Sequence, residues 1–274
     1  MSQNFFLTGC ASGMGKHLTN VLQQRGDCVF ATDISHDVLK ENASELGWPE
    51  DRVKLRQLDV TDPEAWEATF AEAVEAFGGI DVTMNIAGLL MSSWVTESPL
   101  KETNAQIDVN FKGVAYGTQV SARHMVERGH GHIINIASVA GLVPVPGLSI
   151  YAATKHAVRA FSISAALELR PKGVYVTTVC PASVQTPMLD NQEGVDAAEM
   201  FFSGAKILTL EDIERAILNR AMKRKPLEVH VPSFKVKYAR WFGIFPWLAP
   251  VILPMYRNSG RRRMAERRAR RGGS

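Results

Sequence analysis

Three side chains stand at spacings that suit proton transfer. Tyr151 and Lys155 are four residues apart near the start of an apolar-periodic stretch. On a helix that spacing puts both on one face, about one turn apart. A free phenol titrates near ~10, too high for a base at neutral pH. A neighbouring ammonium favours phenolate and lowers that value. Ser138 precedes Tyr151 by thirteen residues, at the end of a strand-like run. A hydroxyl there can hold a carbonyl oxygen while the phenol exchanges a proton with it. The turn-rich stretch Ala140-Gly141-Leu142-Val143-Pro144-Val145-Pro146-Gly147 lets the chain double back between them.

A second group sits near the N-terminus. Thr8-Gly9-Cys10-Ala11-Ser12-Gly13-Met14-Gly15 joins the first apolar run to the first helical pattern. Glycines at such a junction permit a tight turn and close approach of backbone to a pyrophosphate, whose charge a helix N-terminus favours. Asp33 lies eighteen residues past Gly15 at the end of the second strand, followed by Ile34. A carboxylate there hydrogen-bonds ribose hydroxyls and repels a 2′-phosphate, which argues for NAD over NADP. Asp59-Val60 closes the third strand. Asp59 is open to an adenine contact or to a turn before Thr61-Asp62-Pro63.

The elements that must carry these residues alternate regularly. Strands are expected near 3–8, 27–33, 53–58, 80–85, 131–137, 174–180 and 227–231. Helices are expected near 14–25, 36–46, 63–77, 101–128, 151–169 and 210–222. The strands are almost continuously apolar, as when both faces of a sheet are covered. Repeated strand–helix–strand units imply right-handed crossovers. The expected fold is α/β, a single Rossmann-like, doubly wound parallel sheet of about seven strands with helices on both faces.

Here a family resemblance emerges. From about residue 3 to 232 the chain resembles a short-chain dehydrogenase/reductase. Thr8 to Gly15 matches that family's Thr-Gly-x-x-x-Gly-x-Gly element. Asn85-Ile86-Ala87-Gly88 resembles Asn-Asn-Ala-Gly, with Ile86 replacing the second asparagine. Asn110 falls at the family's helix-bending asparagine, and Ser138, Tyr151 and Lys155 match the remaining active-site positions. Pro181-Ala182-Ser183-Val184-Gln185-Thr186 resembles Pro-Gly-x-Val-x-Thr, with Ala182 replacing glycine.

The resemblance implies an oxidoreductase passing hydride between NAD(H) and an alcohol/ketone pair. Asn110, Ser138, Tyr151 and Lys155 would be catalytic, Asn110 holding a water behind the lysine. Gly9, Ser12, Gly13, Met14, Gly15, Asp33, Ile34, Asp59, Val60, Asn85, Ala87, Gly88, Tyr151, Lys155, Pro181, Val184 and Thr186 would meet the cofactor, with Val184 and Thr186 on its carboxamide. The competing reading is a catalytically silent nucleotide sensor or scaffold, against which the intact Asn-Ser-Tyr-Lys set counts. No histidine or cysteine spacing implies a metal.

Residues 188–206 are expected to form a substrate lid, with Met188, Leu189, Met200, Phe201 and Phe202 available to a ligand. Leu89, Leu90, Met91 and Trp94 offer a second wall. Both suggest an apolar substrate, lipid, steroid, retinoid or terpenoid in kind. A homodimer or homotetramer is expected.

Composition adds bounds. At 274 residues, 46% hydrophobic and 22% charged, the chain can bury a sizeable core. Its cysteines Cys10, Cys28 and Cys180 are sparse and odd in number, which suits a reducing compartment. Without a leader-like N-terminus, a cytoplasmic location is expected. Residues 257–274 hold eight arginines and one acid, leaving the remainder mildly acidic. The uncharged run 241–256 is short for a span, and Pro246, Pro250 and Pro254 argue against an internal helix. With Trp241, Trp247 and Tyr256 beside the arginines, 1–232 is expected to be the catalytic domain and 233–274 an appendage. Its segment 241–271 would touch a membrane surface or extend over the substrate entrance. No nucleic acid is implied.

Overall fold

The computed structural model describes residues 2–204, 206–233, 247 and 249–272. Seven strands form one parallel sheet in the order β3-β2-β1-β4-β5-β6-β7. They are β1 (Asn4–Thr8), β2 (Cys28–Asp33), β3 (Val53–Gln57), β4 (Val82–Asn85), β5 (Gly131–Ile136), β6 (Val174–Pro181) and β7 (Glu228–Val231). Every pairing is parallel. The order reverses between β1 and β4. In open α/β sheets, a crevice forms at that switch point beyond the carboxyl ends of the strands.

The helices are α1 (Gly13–Gln24), α2 (His36–Leu46), α3 (Pro63–Phe77), α4 (Leu100–Ile107), α5 (Gly113–Arg128), α6 (Ser149–Leu169), α7 (Pro187–Asp190), α8 (Leu210–Ala216) and α9 (Ala249–Gly272). Alternation along each strand divides the core. Phe5 and Leu7 pack with Leu18, Leu22, Leu39, Ile213 and Ile217 on one face. Phe6 meets Trp66, Phe70 and Met125 on the other. Period-2 alternation thus covers both faces, as the nearly continuous hydrophobicity requires.

Local chemistry sets the helix ends. Asp62 caps α3 through bonds from the Glu64 and Ala65 amides, with Pro63 in its first turn. Gly47 and Gly129 close α2 and α5 in the left-handed conformation. The expected helix 101–128 is two helices joined by a π-turn, Asp108–Lys112. That insertion buries Asn110 completely.

The C-terminal region departs from expectation. Pro250 and Pro254 both lie inside the continuous helix α9. Pro250 occupies its first turn, where an amide has no intrahelical partner, and Pro254 removes a single bond one turn later. Trp241 and Pro246 lie outside the described residues. Among the described residues, no helix is long and apolar enough to cross a membrane.

Candidate active site

Glycine geometry shapes the nucleotide end. Gly9 and Gly13 have φ of +74° and +53°, values that side chains disfavour. At Gly15 a Cβ would lie 2.0 Å from the Gly9 carbonyl oxygen. The loop is folded back on itself at the start of α1, with no room for a side chain there. A Cβ on Gly13 would meet Thr186 Cγ2 at 3.2 Å, so the glycine loop abuts the 181–186 element. Asp33 fixes this loop from β2. Its Oδ2 accepts from the Ala11 amide and its Oδ1 from the Ser35 amide, each at 2.9 Å. Ile34 beside it is 58% exposed.

The other expected contacts divide by what their side chains do. Ser12 precedes α1 in extended conformation with its side chain uncommitted to capping. Met14 packs on the core and Val60 is buried, which leaves their backbones for a ligand. Asp59 Oδ1 accepts from the amide and hydroxyl of Thr61 at 2.9 and 2.8 Å, the turn role. Asn85 is also turned inward. Its amide donates to Asn135 Oδ1 at 2.8 Å and sits beside Thr118, so it holds the end of β4. Thr8, unassigned from sequence beyond its motif, accepts the Ile86 and Ala87 amides at 3.0 and 3.1 Å. This ties β1 to β4 across the switch point.

Both departures from the family pattern are absorbed. Ile86 packs in the core. Among the described non-glycine residues only Lys225 has positive φ, so Ala182 sits without strain. Pro181 ends β6. Val184 is buried, and Thr186 Oγ1 donates to its carbonyl at 3.3 Å.

The catalytic candidates converge as expected. Tyr151 lies in the first turn of α6, with Lys155 one turn on. The Ser138 turn folds against that helix because Gly141 lacks a side chain: a Cβ there would be 2.6 Å from the Lys155 carbonyl oxygen. This closeness sets the Ser138 hydroxyl, which accepts from the Ala140 amide at 3.1 Å, on the side of the Tyr151 phenol. Lys155 Nζ donates to the Ile136 carbonyl at 3.0 Å. A Cβ on Gly88 would be 3.6 Å from that nitrogen and 3.3 Å from Asn110 Oδ1.

Asn110 does more than bend its helix. Its Oδ1 accepts the Leu89 amide and its Nδ2 donates to the Leu89 carbonyl, both at 2.7 Å, with Thr154 Oγ1 at 3.3 Å. Its side chain is therefore committed to the loop after β4 and to α6.

The electrostatics differ from the sequence expectation. Burial pushes the Tyr151 phenol up to about 12, only partly opposed by the neighbouring Ser138 hydroxyl. Burial likewise brings the Lys155 ammonium down to about 8. The protein alone therefore holds the phenol protonated. Loss of solvent around both groups dominates, in place of the lowering expected from Lys155.

Above the site, Met188 and Phe201 pack beside Tyr151, Leu90 and Leu148. Leu189 and Phe202, available either to a ligand or to packing, pack with Met264 of α9. Trp94 lies under the Arg257 guanidinium at 5.2 Å.

The profile described as short chain dehydrogenase matches residues 3–195. The chain belongs to that family. An uncharacterised oxidoreductase of Staphylococcus aureus (strain N315) is 34% identical over 224 residues, covering 82% of this chain and 93% of that protein. A 3-alpha-(or 20-beta)-hydroxysteroid dehydrogenase of Mycobacterium bovis is 39% identical over 184 residues, 67% of this chain and 70% of its own length. Two solved structures superpose. ElxO with NADP bound gives a TM-score of 0.75 at 27% identity, covering 84% of this chain and 98% of its own. A short chain dehydrogenase/reductase from Burkholderia phymatum in complex with NAD gives 0.79 at 25% identity, covering 87% and 92%. This short-chain dehydrogenase is thus an oxidoreductase of an NAD(P)-binding fold.

Cys180, Glu228 and His230 were not connected by sequence spacing, yet pairing of β6 with β7 brings their ligand-type atoms within 4.8 Å of one another. Arg159 donates to both Glu228 oxygens, and burial pushes the Cys180 thiol up to about 12. This cluster is an ion pair beside a protonated thiol, and we assign no metal to it.

Proposed function

We propose that the chain interconverts an apolar secondary alcohol and its ketone, with NAD preferred over NADP. The observation that carries this is the Tyr151 phenol set beside Ser138 beneath the apolar cover of Leu90, Leu148, Met188 and Phe201. Apolar side chains over that polar group suit a hydrocarbon substrate whose carbonyl bonds there. The glycine cradle of Gly9, Gly13 and Gly15 would hold a pyrophosphate, and a nicotinamide bound there would supply or take up a hydride. Ser138 holds the substrate oxygen. Tyr151, protonated in the protein alone, supports proton donation to a ketone. Lys155 places its charge beside the ring, 5.7 Å from its centre.

Asp33 supports NAD, because its carboxylate borders the loop and Ile34 leaves no cation next to it. The name of the mycobacterial relative supports a hydroxysteroid-like alcohol. The test follows reduced-nicotinamide absorbance with NAD or NADP against hydroxysteroids, terpenoid alcohols and short polar alcohols. Turnover of the apolar alcohols with NAD is expected. Preference for polar alcohols overturns the substrate reading. Preference for NADP overturns the Asp33 reading. Asp33→Ala is expected to weaken NAD use roughly 10-fold or more, the scale of one charge-assisted hydrogen bond.

We also propose peripheral contact of α9 with an anionic bilayer surface. On its outward face Val251 and Met255 are 77% and 63% exposed one turn apart, after Trp247 at 70%. Exposed Arg262 follows on the same face of the helix. Apolar residues followed by cations suit acyl chains beneath anionic headgroups.

A further inference from the structure

The segment following Thr186 closes the Tyr151 site. Tyr151 is only 6% exposed. Besides Met188 and Phe201, Gln192 fastens this lid to the loop after β4: Ser92 Oγ donates to its Oε1 at 2.6 Å, and its Nε2 donates to the Leu90 carbonyl at 3.3 Å. The Ala197 carbonyl lies so close to Gly147 that a Cβ there would be 1.9 Å from it. Substrate reaches Tyr151 only if part of this cover moves.

The lid has little regular structure of its own. It contains the four-residue α7 and the 3-10 stretch Asp196–Phe202. What it has in addition is α9. Glu199, 3% exposed, accepts from Arg257 Nε at 3.2 Å and from Arg261. Arg267 Nη2 donates to Asp190 Oδ1 and Gln185 Oε1, each at 2.7 Å, and its Nε pairs with Glu193. Arg263 donates to the Ser203 carbonyl at 2.6 Å and to that of Gly204. Met264 fills the apolar centre between Leu189, Ala198 and Phe202. Gly260 permits backbone contact, since a Cβ there would be 2.0 Å from the Glu199 carbonyl oxygen.

A carboxylate as buried as Glu199 is tolerated only while paired. Lifting α9 strips it of both guanidiniums, so helix and lid move as one unit or Glu199 must hydrate. Short segments with little regular structure of their own open at lower cost than the strands beneath them. The lid's closed position therefore depends on its fastening to α9. Arginine–carboxylate contacts near the surface also weaken as salt rises.

We propose that Arg257, Arg261 and Arg267 are positioning residues that strap the substrate lid closed over Tyr151, so that α9 sets how substrate gains access. This rests on the reading of Tyr151 as the reacting site, but its first test needs no substrate. In the full chain, Arg267→Gln and Glu199→Gln are compared with Arg267→Lys by amide hydrogen exchange. Residues 187–204 are expected to exchange at least ~10-fold faster in the two Gln variants. Strands β4–β6 should be unchanged, and Arg267→Lys should recover part of the protection. Unchanged exchange at 187–204 overturns the strap, whatever the activity. The second arm measures KM and kcat with the alcohol that the wild-type chain oxidises best. KM is expected to shift several-fold in Arg267→Gln while NAD affinity stays unchanged. Faster exchange with both kinetic constants unaltered overturns control of access. Failure of Tyr151→Phe to lose activity strikes the site assignment instead, so the two failures are distinct.

Discussion

Lys155 places its ammonium 5.7 Å from the centre of the Tyr151 ring while spending a hydrogen bond on the Ile136 carbonyl. Charge and phenol share one buried space, yet neither is at its ordinary titration value. Burial lowers the lysine to about 8 and raises the tyrosine to about 12. The polypeptide alone thus presents a proton donor, and additional positive charge is needed to make it a base at neutral pH.

Tyr151→Phe tests the donor directly. The ring would keep its packing against Leu90, Ala140 and Leu148. Turnover is expected to fall at least ~100-fold. The thermal midpoint and NAD affinity should stay near those of the parent chain. Retained turnover, measured with the best alcohol substrate, would remove Tyr151 from catalysis.

Lys155→Met separates function from stability. A lysine whose folded value is depressed costs stability in full below about pH 8, and the cost fades as pH rises towards its ordinary value of 10.5. Replacing it with an apolar chain relieves up to about 3 kcal/mol at pH 7, less the bond to Ile136. The variant is expected to be inactive yet to unfold at higher denaturant than the parent. Chemical unfolding at pH 7 checks this, and a large destabilisation would refute the buried-charge account.

His132 predicts acid sensitivity. It is 3% exposed and bonds Thr177 Oγ1 at 2.9 Å. Burial first, then the Lys225 charge, brings it down to about 3. The unfolded chain takes up a proton as pH falls through 6.5 while the folded chain does not, so stability drops with falling pH and levels off below about 3. Between pH 7.5 and 5 the expected loss is about 2 kcal/mol. Glu228, held near 2, contributes its own loss only at lower pH. Flat denaturant midpoints across that interval would show that His132 titrates freely when folded.

Vesicle sedimentation addresses the outward face of α9. The full chain is expected to bind phosphatidylcholine–phosphatidylglycerol vesicles and to release them at high salt. Val251→Ser with Met255→Ser should weaken binding without changing exchange at 187–204, because these side chains point away from the lid. Equal sedimentation with neutral and anionic vesicles would rule out the charge contribution.

The sequence by itself determined the sheet and most of the site. Apolar runs and their spacing placed all seven strands within about two residues, because a strand covered on both faces must be apolar throughout. Glycines at 9, 13 and 15 announced the tight turn because a side chain there has no room. Side-chain direction was less legible. Asn85 and Met14 turn inward, and the Asn110 amide is taken up by Leu89. Which way a side chain points depends on neighbours from distant segments.

The C-terminus shows the same limit more sharply. Arg257, Arg261, Met264 and Arg268 already stand at the spacing of one helix face. The three prolines nonetheless argue against an internal helix, and the sequence leaves the segment open between a membrane surface and the substrate entrance. Only the tertiary structure shows it helical and packed against the lid. The carboxylates of Asp190, Glu193 and Glu199 lie 58 to 77 residues before their arginines and become neighbours only when the lid folds. Ion pairing is specific to geometry and nearly silent in local sequence. Burial of apolar surface, which acts through periodicity, was written in the order of the residues themselves.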